Sequence, residues 1–252
     1  GAPPDLAAII PRCPQLRWVQ STWAGIDAIA HFASETLHIT PLKGVFGPAM
    51  TEYVMGWLLA IERNVISRAS HTQWTPSLEP RIGGKRLGIM GTGGIGAVIA
   101  LAAKSFGVEV IGLNSDGRAV EGFTACYPSA DRQAFAEGLD YLVSVLPQTA
   151  QTDNLIDHEV LMRLNPRAIV INAGRGNAVA EAEQIEALTR GIWKGPLNST
   201  RLMALTAALT QARVAWPTNS CNKCGHMGED TISHVLECPG HAEELNAIED
   251  DI

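Results

Sequence analysis

The sequence predicts an α/β protein built on a doubly wound parallel sheet, with helices on both faces. Short apolar runs of strand length alternate with amphipathic or apolar stretches of helical length, the pattern of parallel strands joined by helical crossovers. Residues 86–118 contain one complete strand–turn–helix–strand unit with a glycine-rich turn. Because such crossovers are right-handed, the chain is expected to wind helices onto both sides of the sheet.

The glycine-rich turn is the strongest local signal in the chain. A predicted strand over 87–90 leads into Gly91-Thr92-Gly93-Gly94-Ile95-Gly96, a helix over 97–106 and a strand over 108–113. In this context Gly-x-Gly-x-x-Gly is the dinucleotide-binding fingerprint of Rossmann-like domains, whereas the glycines alone could mark a turn in another α/β protein. The three glycines permit a sharp turn, close approach of a pyrophosphate and tight helix–sheet packing. The phosphates would lie at the helix N-terminus, where the helix dipole favours negative charge.

The other predicted elements continue the alternation. They are strands over 16–20, 37–40, 141–146 and 168–172 and helices over 48–67, 131–137, 158–164 and 181–190. Ligands of such sheets bind beyond the carboxyl ends of the strands. We therefore expect Leu146, Pro147, Ala173 and Gly174 to share one crevice with the glycine loop.

Composition narrows the class of protein. The 252 residues carry a formal net charge of −7, with 46% hydrophobic and 18% charged residues. These values favour a globular cytoplasmic protein and argue against general nucleic-acid binding. The sequence contains neither an apolar run of membrane-spanning length nor a signal peptide, so no membrane anchor is expected.

The residues after the second fingerprint strand bear on the choice between NAD and NADP. Asn114 stands where a carboxylate would bind the ribose diol of NAD. Ser115 and Arg118 could hold a 2′-phosphate, whereas Asp116 between them opposes one. The sequence therefore favours NADP slightly over NAD, and the alternative for Arg118 is a solvated turn residue.

Arg175 is the most informative side chain outside the glycine loop. It follows a predicted strand and lies between two glycines, Gly174 and Gly176. A guanidinium there can bind a substrate carboxylate through two parallel hydrogen bonds. The alternative is a structural arginine that pairs with a surface acid.

Five segments resemble the D-isomer-specific 2-hydroxyacid dehydrogenases, especially the glyoxylate/hydroxypyruvate reductase branch. They are STWAGID at 21–27, KGVFGPAMTEYVMGWLLA at 43–60, LGIMGTGGIG at 87–96, VLPQTAQTDNLI at 145–156 and INAGRGNAV at 171–179. The resemblance covers residues 16–193. It implies an enzyme that transfers hydride between a nicotinamide and a small 2-keto acid such as glyoxylate or hydroxypyruvate.

The resemblance also implies a division of the chain and roles for particular residues. Residues 1–47 would be part of a truncated substrate domain and residues 48–193 the dinucleotide-binding domain. Arg175 matches the family's catalytic, substrate-binding arginine, and Ala24 and Gly25 match a loop whose backbone N–H groups hold the substrate carboxylate. Three further positions match residues that line the cofactor: Pro147, Thr152 and Ala173. Family members commonly dimerise, so a homodimer is implied.

The resemblance ends near Trp193. In the family a Glu-Pro motif and a Pro-His pair follow and supply the acid–base couple that protonates the developing alkoxide; neither follows here. Loss of a positioned general acid typically costs about 10²- to 10⁴-fold in rate. The sequence therefore predicts either an impaired enzyme or a nucleotide-binding remnant without catalysis.

Residues 194–252 carry an unrelated pattern. Cys221 and Cys224, followed by His234 and Cys238, have spacing suited to a tetrahedral Zn²⁺; unligated cysteines are the alternative. The Pro-Thr before the cysteines, the Cys-x-x-Cys, EDTISH and the Cys-Pro resemble the zinc-finger tail of non-LTR retroelement reverse transcriptases. Such a tail implies nucleic-acid contact, but four basic residues stand against eight acidic ones here. Two unrelated patterns joined near residue 194 indicate a retroelement insertion, a chimeric gene or a faulty gene model.

Overall fold

Five parallel strands covered by helices on both faces make up the main body of the described chain, and two short strands precede them. The computed structural model describes residues 1–180 except 70, 75 and 77, and only the backbone of residues 66 and 67. The strands are β1 (Trp18–Gln20), β2 (His38–Thr40), β3 (Arg86–Met90), β4 (Glu109–Asn114), β5 (Ala125–Pro128), β6 (Tyr141–Ser144) and β7 (Ile169–Asn172). The helices are α1 (Pro3–Ile9), α2 (Gly47–Glu62), α3 (Val65–Ala69), α4 (Gly94–Ser105), α5 (Arg132–Ala136) and α6 (His158–Arg163).

The large sheet has the order β5-β4-β3-β6-β7, and every pairing is parallel. Strands β6 and β7 are buried along their whole length, as expected for parallel strands that helices cover on both sides. Met90 lies in register with Leu113 and Ser144, and Ser144 with Asn172. The carboxyl ends of four adjacent strands therefore meet at one edge, which confirms the predicted fold class.

Two apolar cores flank this sheet because side chains alternate along each strand. On one face Ile89 and Val143 pack with residues of α2 and α4, such as Leu58 and Ile99. On the other face Leu142 and Val170 pack in a cluster with residues of α5 and α6. Both helical layers predicted from the sequence are present.

The N-terminal segment forms a small unit of its own. Strands β1 and β2 pair in parallel, and Ile10, Val19, Ile29 and Leu37 make its core. An ion pair between Asp27 and Arg175 connects this unit to the end of β7. Helix α2 begins at Gly47, and the domain boundary expected after residue 47 stays a prediction.

Two local predictions were wrong, and one strand was missed. The helix predicted over 48–67 ends at Glu62, because Asn64 adopts a left-handed conformation (φ 50°), which asparagine tolerates better than most residues. The strand predicted over 141–146 ends at Ser144. Strand β5 was missed because its four residues are half-exposed and end in proline.

Two further predictions fall outside the part of the chain that the structure describes. They are the helix over 181–190 and the tail with a zinc site over 194–252. Among the described helices, none is long and apolar enough to cross a membrane.

Candidate active site

The glycine loop makes a tight turn between β3 and α4. Gly91 has φ +101°, a conformation that strongly favours glycine, and its N–H donates to the Leu113 carbonyl at 2.9 Å. A Cβ on Gly96 would overlap the Gly91 carbonyl oxygen. The helix therefore begins directly against the end of the strand, and no larger residue fits at position 96.

The outer side of this loop fits a pyrophosphate. Gly93 and Gly94 are exposed, and a Cβ on either would meet no heavy atom within 4 Å. The N–H of Ala97 donates to the Gly93 carbonyl, whereas the preceding N–H groups at the start of an α-helix have no carbonyl partner inside the helix. Open space beside unpaired N–H groups at a helix N-terminus is the setting in which phosphates bind.

Asn114 fixes the loop that follows β4. Its side-chain amide Nδ2 donates to Thr92 Oγ1 at 3.2 Å and to the Arg118 carbonyl at 2.9 Å. Asn114 Oδ1 is buried and has no hydrogen-bond partner among the described residues. The residue predicted to face the cofactor ribose thus also connects the glycine loop to the neighbouring loop.

Arg118 is paired with an acid on its own loop. Its Nη1 donates to Asp116 Oδ1 at 3.0 Å, and both side chains are about 60% exposed. The backbone N–H of Arg118, reinforced by the guanidinium charge, lowers the pKa of Asp116 below its ordinary value. Ser115 is exposed beside this pair. Asp116, expected from its charge to oppose a 2′-phosphate, is joined directly to Arg118.

The loops after β6 and β7 contact each other. A Cβ on Gly174 would lie 2.6 Å from the Leu146 carbonyl oxygen, so only glycine allows this approach. Thr152 Oγ1 donates to the Pro147 carbonyl at 2.7 Å and accepts from the Thr149 N–H at 2.9 Å. The structure therefore gathers Leu146, Pro147, Thr152 and Gly174 at one edge of the sheet.

Asn172, the last residue of β7, shapes the turn that carries Arg175. Its Oδ1 accepts from the Gly174 N–H at 3.1 Å, and its Nδ2 donates to the Arg175 carbonyl at 2.9 Å. Asn172 was not among the residues predicted from the sequence. A polar residue that ends a buried strand immediately before a functional turn is the signal that could have found it.

The Arg175 side chain reaches the N-terminal unit. Its Nε donates to Asp27 Oδ2 at 3.0 Å, and a Cβ on Gly25 would overlap its Nη2. Ser21 shapes the same loop, because its Oγ accepts from the Trp23 N–H at 3.0 Å. Arg175 and Gly25, predicted separately, are neighbours in space. Asp27 itself was not predicted from the sequence. The alternative given for Arg175, a structural arginine that pairs with a surface acid, corresponds to this ion pair.

Metal-binding side chains do not cluster within the described part of the chain: no group of three or more His, Cys, Asp or Glu residues could hold a metal ion there. The predicted zinc ligands Cys221, Cys224, His234 and Cys238 lie outside the described residues. Their assignment stays a prediction.

Comparison with known proteins identifies relatives of this chain. Residues 55–196 match the family model described as D-isomer specific 2-hydroxyacid dehydrogenase, NAD binding domain. Glyoxylate/hydroxypyruvate reductase B of Enterobacter sp. is 32% identical over 201 residues, covering 73% of this chain and 60% of that protein. A glyoxylate/hydroxypyruvate reductase of Arabidopsis thaliana is 28% identical over 204 residues, covering 77% and 62%.

Solved structures agree with the sequence relatives. A D-isomer specific 2-hydroxyacid dehydrogenase family protein from Aeromonas salmonicida has a TM-score of 0.68 and 33% identity, covering 76% of this chain and 63% of that chain. An NADPH-dependent glyoxylate/hydroxypyruvate reductase from Sinorhizobium meliloti, in complex with NADP and sulfate, has a TM-score of 0.66 and 26% identity, covering 76% and 66%.

These similarities have a definite extent. The first curated relatives are matched over 62% of their own length, so the chain spans about three-fifths of them. The family model covers more than half of this chain and includes the glycine loop, the five-stranded sheet and Arg175. The chain belongs to the D-isomer specific 2-hydroxyacid dehydrogenase family, and residues 55–196 are its NAD-binding domain.

Proposed function

We propose that this chain binds NADP(H), in preference to NAD(H), along the carboxyl edge of its five-stranded sheet, and that it orients a small 2-keto acid such as glyoxylate or hydroxypyruvate beside the nicotinamide. One observation carries the proposal: an open glycine loop and an arginine that contacts the Gly25 loop lie at the same edge of the sheet. The relatives named as glyoxylate/hydroxypyruvate reductases support the substrate class.

The cofactor would be held mainly by backbone groups. The N–H groups at the start of α4 would bind the pyrophosphate, and Asn114, Ser115 and Arg118 would surround the ribose that carries the 2′ position. Leu146, Pro147, Thr152, Ala173 and Gly174 would line the nicotinamide half. When bound, the nicotinamide supplies or accepts the hydride.

Arg175 would act on the acid. Its guanidinium can bind the carboxylate or polarise the carbonyl oxygen of a 2-keto acid, while the backbone N–H groups of Ala24 and Gly25 hold the carboxylate. Both sets of donors lie next to each other, because Gly25 leaves room for Arg175 Nη2. This arrangement orients the carbonyl carbon for hydride transfer.

Turnover is expected to be slow. The sequence after Trp193 contains neither a Glu-Pro motif nor a Pro-His pair, so the acid–base couple expected for this family does not occur in its usual context. A bound keto acid would then take its proton from water. The alternative function is a nucleotide-binding protein without catalysis.

Two measurements test the proposal. Fluorescence titration of the full chain with NADPH and NADH is expected to show saturable binding of both, with the lower dissociation constant for NADPH. NADPH oxidation with hydroxypyruvate is then expected to be detectable and to fall at least tenfold in Arg175→Ala, with NADPH affinity unchanged. Binding without oxidation supports the alternative, and no binding of either nucleotide contradicts both functions.

A second candidate function concerns the tail. We infer from the Cys-x-x-Cys, His234 and Cys238 spacing that residues 221–238 bind a structural Zn²⁺. Purified chain is expected to contain about one zinc per molecule by elemental analysis. Cys224→Ser should remove the metal, whereas Cys13→Ser should not. A zinc-free wild-type chain that also fails to take up Co²⁺ would exclude the site.

The homodimer implied by the family resemblance also stays a proposal. Sedimentation velocity of the full chain measures its mass directly. A species of twice the chain mass supports it, and a concentration-independent monomer contradicts it.

A further inference from the structure

The position of the Arg175 guanidinium is constrained from three sides. The Asn172 side chain holds the backbone of its turn, Gly25 lies against Nη2, and Asp27 accepts from Nε. Within the described residues, Asp27 is the hydrogen-bond partner of this guanidinium. Arg175 retains 35% and Asp27 28% side-chain exposure, so both remain partly accessible to solvent.

The use of Nε has a geometric consequence. A guanidinium offers five N–H donors in one plane, and a carboxylate can pair with either its Nε edge or its Nη1–Nη2 end. When Asp27 occupies Nε, the terminal Nη1 and Nη2 donors are the ones left for another acid. Nη2 already lies beside Gly25, in the loop that would bind the substrate carboxylate.

We propose that Asp27 is a positioning residue: by holding Nε, it sets the plane of the Arg175 guanidinium so that Nη1 and Nη2 face the keto acid. This role rests on the function proposed above. An arginine that is oriented before its ligand arrives loses less side-chain entropy on binding, which raises affinity. The opposing effect is charge, because the Asp27 carboxylate repels an incoming carboxylate.

Two substitutions separate orientation from charge. Asp27→Ala removes the acceptor and the charge, whereas Asp27→Asn removes the charge but keeps a side-chain oxygen that can accept from Nε. If orientation dominates, Asp27→Ala weakens acid binding about tenfold, a typical loss for a supporting hydrogen-bond partner, and Asp27→Asn restores most of it. Glu35→Ala, an exposed acid in the same N-terminal unit, serves as the matched control.

The experiment uses the full chain saturated with NADPH and titrated with oxamate, an unreactive 2-keto-acid analogue, by calorimetry. We expect the dissociation constant of oxamate to rise about tenfold in Asp27→Ala and to stay within about threefold of wild type in Asp27→Asn and Glu35→Ala. The dissociation constant of NADPH should not change in any of them. In an Arg175→Ala background, Asp27→Ala should have no further effect, because coupled residues are not additive.

The outcomes separate this role from the function on which it rests. Oxamate affinity that is unchanged or increased in Asp27→Ala overturns the positioning role, and so does an equal loss in the Arg175→Ala background. A wild-type chain that binds no NADPH, or an Arg175→Ala chain that binds oxamate as well as wild type, overturns the proposed function and this role with it. A parallel loss of NADPH affinity in Asp27→Ala would show general damage and reject a specific role.

Discussion

At the scale of single residues, two asparagines at the ends of different strands each hold the following loop through side-chain hydrogen bonds. Asn114 ends β4 and joins two loops through Thr92 and the Arg118 carbonyl, and Asn172 ends β7 and fixes the turn that carries Arg175. An asparagine suits these positions because its amide offers donors and an acceptor on one short, rigid side chain. Loops that carry ligand-binding groups are thereby held to the rigid sheet.

The charge at residue 116 is expected to limit affinity for a 2′-phosphate. Because the Arg118 N–H and guanidinium lower the pKa of Asp116, its carboxylate stays charged to a lower pH than that of an ordinary aspartate and is charged at neutral pH. Asp116→Asn should do at neutral pH what protonation does in acid. We expect NADPH to bind about tenfold more tightly in Asp116→Asn, with NADH affinity unchanged, by fluorescence titration.

The control for this change is Asp5→Asn, an exposed acid in α1, which should leave both affinities as in wild type. If Asp116→Asn tightens NADH and NADPH equally, the effect is one of net charge near the pyrophosphate. That result would contradict a specific influence on the 2′ position.

Gly25 is expected to be essential for acid binding. A Cβ at this position would overlap Arg175 Nη2 and lie 3.0 Å from Asp27 Oδ2, so alanine must displace the guanidinium. In Gly25→Ala we expect oxamate affinity to fall by at least tenfold at saturating NADPH, by calorimetry, while NADPH affinity is retained. Gly56→Ala, where a Cβ meets no atom within 4 Å, is the matched control. Equal oxamate binding by both variants would show that acid binding does not depend on the present position of the Arg175 guanidinium.

At the scale of elements, α2 is anchored to the sheet at the edge opposite the candidate site. Glu62, at the end of α2, is only 5% exposed and accepts from Lys85 Nζ at 2.7 Å and from the Tyr141 hydroxyl at 3.1 Å. Lys85 precedes β3 and Tyr141 begins β6, so the three side chains join the helix to the amino ends of two central strands. A buried carboxylate requires such partners, because burying an unpaired charge is costly.

Removal of the Lys85 charge should therefore destabilise the fold without affecting the site. Loss of one member of a buried ion pair costs 3–5 kcal/mol, and because Lys85 is 28% exposed we expect about 3 kcal/mol for Lys85→Met. Urea unfolding measures this loss, and NADPH affinity should be unchanged below the transition. Lys104→Met, in the last turn of α4, should change the free energy of unfolding by less than about 0.5 kcal/mol. An equally small loss of unfolding free energy in Lys85→Met would mean that water solvates the Glu62 carboxylate in place of the Lys85 ammonium group.

The elements also show which features local pattern could and could not predict. Periodicity found α2 and the glycine unit because their apolar residues are buried on continuous faces. The predicted end of α2 lies five residues too far along the chain, because Val65 continues the apolar spacing. The backbone leaves the helical conformation before that residue, at Asn64. Strand β5 has no strong pattern because it pairs only with β4 at one edge of the described sheet.

At the scale of the whole molecule, the candidate site joins segments far apart in the chain. The turn after β7 meets the loop at residues 21–27 only when the sheet and the N-terminal unit are both folded, and the glycine loop lies at the same edge of the sheet. A ligand that bridges these segments binds the native state and not the unfolded chain. Its binding must then add to the free energy of unfolding.

NADPH is expected to stabilise the full chain accordingly. At a free concentration of 100 times its dissociation constant, the free energy of unfolding should rise by about 2.7 kcal/mol. Urea unfolding followed by circular dichroism measures the shift, with NADPH omitted as the reference and adenosine added at equal concentration as a control for weak base stacking. An unchanged midpoint with NADPH would contradict binding to the folded sheet.

Local pattern was enough to predict the α/β class and the dinucleotide fingerprint and to single out Arg175 as a candidate, because these depend on neighbours within about twenty residues along the chain. Long-range packing was needed to pair Arg175 with Asp27 and to bring Gly25 against the guanidinium. The physical reason is that a hydrogen bond across 148 residues of sequence depends on how the sheet and the N-terminal unit dock, and no local periodicity records that contact.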